Sequence, residues 1–98
     1  MEIMFYIPTH KEEYIKEITK SLCLIDGGLT IINNCFGLWI EGLKTYKDDI
    51  TLIQILIKDD NDTLDIKLKM VKNLALRIKR ELKQLSFLYT INKNPIFV

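Results

Sequence analysis

Ile50-Thr51-Leu52-Ile53-Gln54-Ile55-Leu56-Ile57-Lys58 is the stretch whose reading decides the fold. Ile53, Ile55 and Ile57 recur with the period of two that puts alternate side chains on one face of a β-strand. Leu52 and Leu56 give the other face apolar character too. After this strand, Asp59-Asp60-Asn61-Asp62 reads as a turn and an N-cap cluster, with negative charge placed at a helix start. Leu64, Leu68, Val71, Ala75, Ile78, Leu82 and Leu85 then alternate spacings of four and three, which predicts a long helix over 63–85. The stripe suits a coiled coil or a helix lying on a sheet, and the flanking strands favour the sheet. Phe87 to Ile91 is a last strand, followed by Asn92-Lys93-Asn94-Pro95 and a short apolar end.

Upstream of the isoleucine run, Leu29 to Phe36 is strand-like, and Leu38-Trp39-Ile40-Glu41 continues the same long strand. Gly37 reads as a bulge, because glycine inside a strand pattern usually marks one. Gly42 to Asp49 is polar and reads as a hairpin connection, with Tyr46 exposed or folded back. Earlier still, residues 2–7 alternate, with Ile3, Phe5 and Ile7 on one face and Met4 and Tyr6 on the other. Pro8 stops that strand, and Thr9 with Glu12 has the spacing of a capping box. A helix over 10–24 follows, with Tyr14, Ile15, Ile18, Leu22 and Ile25 on one stripe, ended by Asp26-Gly27-Gly28. The order strand, helix, strand, strand, helix, strand predicts an α+β, ferredoxin-like βαββαβ domain over 1–98. Two right-handed crossovers would place both helices on one face of a four-stranded antiparallel sheet.

The chain's 98 residues allow one domain with one modest core. A net charge of +1 provides no overall field toward nucleic acid or a membrane surface. Neither a basic leader followed by a cleavable apolar segment nor a run of about 20 apolar residues is found, so a cytoplasmic location is expected. Cys23 and Cys35 are expected to be free, buried and small. Lysine far outnumbers arginine (only Arg77 and Arg80), and isoleucine and asparagine are abundant, the usage of AT-rich genes such as those of low-GC bacteria and their phages and plasmids.

Residues that could carry chemistry are few. His10, the lone histidine, falls in the first turn of the first helix, where exposure is expected. No basic cluster accompanies either cysteine to activate a thiolate. The acidic groups Asp48-Asp49 and Asp59-Asp60-Asp62 could hold a divalent cation, but the second lacks the glycine and distal glutamate of a calcium loop, and capping the long helix explains it more simply. No catalytic residue, metal site or cofactor is therefore expected. A strand of Ile50 to Ile57 without an aromatic argues against an RNA-reading sheet. The long helix carries Lys67, Lys69, Lys72, Arg77, Lys79, Arg80 and Lys83 against only Asp65 and Glu81, a basic face able to hold anions. Helices on one face leave Met4, Tyr6, Leu52 and Leu56 on the other, and homodimerisation through that open face would cover them.

Gly28-Leu29-Thr30, then Gly37 and Trp39, then a turn and a strand of isoleucines, carry a resemblance over residues 26–98. The chain is similar to a family of small bacterial ferredoxin-like proteins of unknown function, with a GLT…G-x-W hairpin before a long helix. Asp48 or Asp49 stands where that family usually has glutamate. The resemblance implies the fold and no active site.

The expected function is therefore binding without catalysis: a phage or mobile-element protein that inhibits a host defence protein. Tyr6, Trp39 and Tyr46 are the expected partner contacts, since exposed aromatics dominate binding energy. One alternative is a sponge for a small anionic or nucleotide ligand, held by Lys69, Lys72, Lys79 and Arg80. Another is a small dimeric α+β barrel enzyme, which would need His10 or an acidic residue inside a pocket.

Overall fold

The computed structural model describes residues 1–26, 28–58 and 62–98. Its elements run β1 (Glu2–Ile7), α1 (Glu12–Cys23), β2 (Leu29–Glu41), β3 (Lys44–Leu56), α2 (Leu64–Glu81), β4 (Leu88–Ile91) and β5 (Asn94–Phe97). All pairings are antiparallel, in the order β2-β3-β1-β4-β5. The α+β, ferredoxin-like arrangement thus holds through β4, and among the described residues the sheet has five strands rather than four. The fifth strand forms because Asn92 and Lys93 adopt φ of 48° and 68°, a left-handed pair that turns a chain tightly enough for a two-residue hairpin. Pro95 sits in β5 at the sheet edge, where a missing N–H costs no ladder bond.

The core lies between the sheet and both helices. Ile3, Phe5 and Ile7 of β1 alternate inward, opposite Ile55, Ile53 and Thr51 of β3. Against them pack Ile15, Ile18 and Leu22 of α1 and Val71, Leu74, Ala75 and Ile78 of α2. Phe5 stacks on Phe87 and Tyr89, with ring centroids 6.0 and 5.6 Å apart. Among the described residues no helix lies on the opposite face of the sheet, where Met4, Tyr6 and Leu52 are half-buried and Leu56 is exposed.

Polar contacts tie the helices together at their outer sides. Arg77 of α2 pairs with Glu17 of α1 and, at 2.9 Å, with Glu81. Tyr14 donates a hydrogen bond to Glu81 at 3.0 Å. Burial first, and then that hydrogen bond, hold the Tyr14 hydroxyl above its ordinary pKa. Beyond α1, the Asp26 carboxylate accepts from the Lys58 backbone N–H at 3.1 Å and from Lys67 Nζ at 3.2 Å, joining the end of α1 to the exit of β3 and to α2.

Several local expectations are corrected. Thr9 forms no capping box: its hydroxyl accepts from Lys11 N–H at 3.2 Å, and α1 starts only at Glu12. The helix expected over 63–85 stops at Glu81, and Lys83, at φ 53°, turns the chain out of it. Thr63 caps α2 without a side-chain bond. In the expected acidic N-cap cluster, Asp59, Asp60 and Asn61 lie outside the described residues, as does Gly27 of the helix stop. Both cysteines are free, yet Cys23 is exposed and Cys35 only half-buried. Among the described residues, no helix is long and apolar enough to cross a membrane.

Phe5→Ala should lower unfolding free energy by about 3–5 kcal/mol in a urea titration, whereas Leu43→Ala, fully exposed, should change it by less than about 0.5 kcal/mol. The raised Tyr14 pKa stabilises the fold below its unfolded value of 10.0, and that contribution is lost as pH rises from there toward the higher folded value. The stability difference between the natural chain and Tyr14→Phe should therefore shrink when measured at increasing pH above about 10; a constant difference would contradict the shift.

Candidate binding surface

β2 and β3 are far longer than the strands they join. β1 covers β3 only from Thr51 to Leu56, so Lys44–Ile50 pairs with Cys35–Glu41 as a two-stranded ribbon beyond the core. The ribbon turns at Gly42-Leu43, with Gly42 at φ 63°. The polar stretch Gly42–Asp49, expected as a connection, is thus mostly strand. Thirteen residues span roughly 44 Å, close to the molecule's longest dimension of 49 Å.

Gly37 is not the bulge. It pairs regularly with Asp48, and the irregularity falls between Ile32 and Cys35, where Asn34 takes φ 60°. Asparagine tolerates that left-handed region better than most residues, so an Asn-Asn pair can absorb an extra residue in the ladder. His10 braces the same point. Its Nε2–H is shared between the Cys35 carbonyl at 3.0 Å and the Ile50 carbonyl at 2.9 Å; carbonyls only accept, which assigns the proton to Nε2. Nδ1 lies 3.9 Å from the Asp49 carboxylate. The loop before α1 is in this way tied to both strands where the ribbon leaves the core.

The ribbon presents apolar side chains on both faces, chiefly from β2. Trp39 stacks on Tyr46 across the strands, with ring centroids 5.3 Å apart and planes 16° from parallel. By strand alternation this pair shares the open face with Ile32, Leu52 and Tyr6. Phe36, Leu38 and Ile40 occupy the other face, 55%, 63% and 74% exposed, because neither helix extends that far. Lys47 Nζ stands 4.4 Å from the Phe36 ring centroid, a cation–π contact.

Of the expected contacts, the structure brings Trp39 and Tyr46 together and places Tyr6 on the same face but within the body of the sheet, half-buried. Phe36, Leu38, Ile40 and Leu43 are surface residues that sequence reasoning misses. The signal for them is present in the alternation Phe36-Gly37-Leu38-Trp39-Ile40-Glu41, which reads as strand but says nothing about cover. Lys69, Lys72, Lys79 and Arg80 fall within about 100° of arc on α2, away from its buried Val71, Leu74 and Ile78. Two other members of that basic run, Lys67 and Arg77, are engaged with Asp26, Glu17 and Glu81. A separate cleft of about 610 Å³ lies between α1 and β2, with His10, Glu12, Ile15, Lys16, Lys20 and Ile31 among its lining. No cluster of three or more metal-ligating His, Cys, Asp or Glu side chains occurs among the described residues.

No protein-family model matches the chain, and no curated protein matches it. Among solved structures it is similar to the divalent cation tolerance protein (Cut A1) from Thermus thermophilus, at 14% identity and a TM-score of 0.58, over 100% of this chain and 82% of that one. At that identity the likeness concerns the fold.

Replacing His10 with alanine should cost about 1 kcal/mol of stability, and amide hydrogen exchange should accelerate first at residues 35–41 and 44–50, since the brace holds the ribbon's base. Uniform acceleration over the whole sheet would contradict that local role.

Proposed function

We propose that this chain is a non-enzymatic binding protein that acts by occupying another protein, with the open face of the β2–β3 ribbon as its contact surface. The observation that carries this reading is the Trp39–Tyr46 stack, a rigid aromatic pair held outside the core on a projecting ribbon. Two-stranded ribbons are marginal alone in water, and exposed apolar surface of this kind marks interaction sites in soluble proteins. Rigid aromatics lose little side-chain entropy on binding, which suits them as anchors. The AT-rich residue usage is consistent with a phage or mobile-element gene, for which the partner would be a host defence protein to be inhibited. The enzyme alternative has less support, because the Nε2–H of His10 is engaged by two backbone carbonyls.

A second reading, sequestration of a small anion, is favoured by two observations. One is the stripe of Lys69, Lys72, Lys79 and Arg80, of which Lys79 is half-buried and the other three are exposed. The other is the cleft bordered by Lys16, which pairs with Glu12 at 3.5 Å, and by Lys20.

The readings separate by affinity capture on the immobilised chain with host lysate, followed by titration of the recovered protein. Under the first, Trp39→Ala should weaken binding by about 30-fold or more, some 2 kcal/mol, while alanine at Lys69, Lys72, Lys79 and Arg80 changes it little. The reverse pattern, with a small mass retained in native mass spectrometry, would favour the anion reading.

A further inference from the structure

The sheet ends in two unlike edges. β5 is four residues long and carries Pro95, two of the ways in which edge strands avoid pairing with other chains. β2 is thirteen residues long, and from Leu29 to Ile40 it contains neither a charged residue nor a proline. Its outer backbone groups have no partner strand among the described residues. Long, uncharged, apolar edges of this kind are templates for another strand.

We propose that the distal half of β2 pairs antiparallel with the same segment of a second copy, about a two-fold axis at Leu38. The occupant is argued from self-complementarity, which a two-fold interface requires. Centred on Leu38, the pairing sets Gly37 opposite Trp39 on the open face, Phe36 opposite Ile40 on the other face, and Cys35 opposite Glu41 at the ends. A side chain at Gly37 would meet only Ile50, at 3.5 Å or more, so the glycine leaves room for the indole of the second copy. An aromatic laid over a cross-strand glycine is a known way to complete such a pair.

Charge favours the same strand. β3 carries Lys44, Lys47, Asp48 and Asp49 in the ribbon, and charged side chains are one of the ways in which a strand edge is kept from pairing with another chain. The paired run of β2 holds only Glu41, at its end. The irregularity between Ile32 and Cys35 breaks the edge and limits the match to residues 35–41. Because the ribbon projects, antiparallel pairing leaves the two cores at opposite ends, clear of each other. The result is one continuous sheet carrying two Trp39–Tyr46 stacks on one face.

The inference goes beyond partner binding, since it uses the backbone edge rather than the open face. Its test uses the purified chain alone, so the two readings fail separately. In a full chain with Cys23→Ser and Cys35→Ser, Leu38→Cys should oxidise to a disulfide-linked dimer with copper phenanthroline. Directly opposed residues lie about 4.5–5.5 Å apart at Cβ, near disulfide distance. Ile40→Cys in the same background should stay largely uncrosslinked, because the two cysteines would be four residues out of register, about 14 Å apart. Gly37→Lys in the natural chain should weaken dimerisation at least tenfold in sedimentation equilibrium, while its circular dichroism stays unchanged. Equal crosslinking at positions 38 and 40, a concentration-independent monomer, or a closed trimer in native mass spectrometry would each overturn the proposal.

Discussion

The antiparallel register that sets Phe5 opposite Ile53 governs the rest of the structure. It brings Ile3, Phe5 and Ile7 onto the same side as Ile53, Ile55 and Ile57, and both helices bury their apolar stripes against that side. A slip of one residue would turn every one of these side chains to the bare face. The same register decides where β1 ends against β3, at Ile7 and Thr51. There the Thr51 hydroxyl donates to the Thr9 carbonyl at 2.7 Å, so the chain leaving β1 is held as it turns toward α1.

Everything distal to Thr51 on β3 therefore has β2 as its only strand neighbour among the described residues. That geometric consequence creates the ribbon. Its apolar side chains obey the strand period as faithfully as those of the core, but no helix reaches them. The fold consequently divides its hydrophobic residues between a filled interior and a projecting surface, with His10 and the Asn33-Asn34 irregularity at the boundary. A strand extension of this kind holds aromatic side chains more rigidly than a loop would.

Much of the architecture was legible in local pattern. Period-two alternation located β1 and the inner half of β3, and the three-four spacing located α2, because half-buried elements must repeat their apolar residues at their own period. The failures are equally physical. Gly37 suggested a bulge because glycine often marks one, yet Asn34 adopts the left-handed conformation instead. Lys44 to Asp49 read as a connection because its residues are polar, but cross-strand pairing with Cys35–Glu41 supplies the ladder bonds that hold polar residues in a strand. Thr9 had the spacing of a cap, but Pro8 and the contact with Thr51 direct the backbone so that the helix begins later.

Of the candidate surface, Trp39, Tyr46 and Tyr6 were nameable from composition and pattern alone, as were the lysines and arginines of α2. What sequence by itself determined was which residues share a face within each regular run, since that depends only on the repeat of the element; in β2 the irregularity between Ile32 and Cys35 resets it. Whether a face is covered was decided by tertiary structure alone, because cover depends on how far neighbouring strands and helices extend. Phe5 and Phe36 look alike in sequence, each an aromatic in an alternating apolar strand. One lies beneath two helices and the other stands on an open ribbon, because β1 ends at Ile7 while β2 and β3 continue.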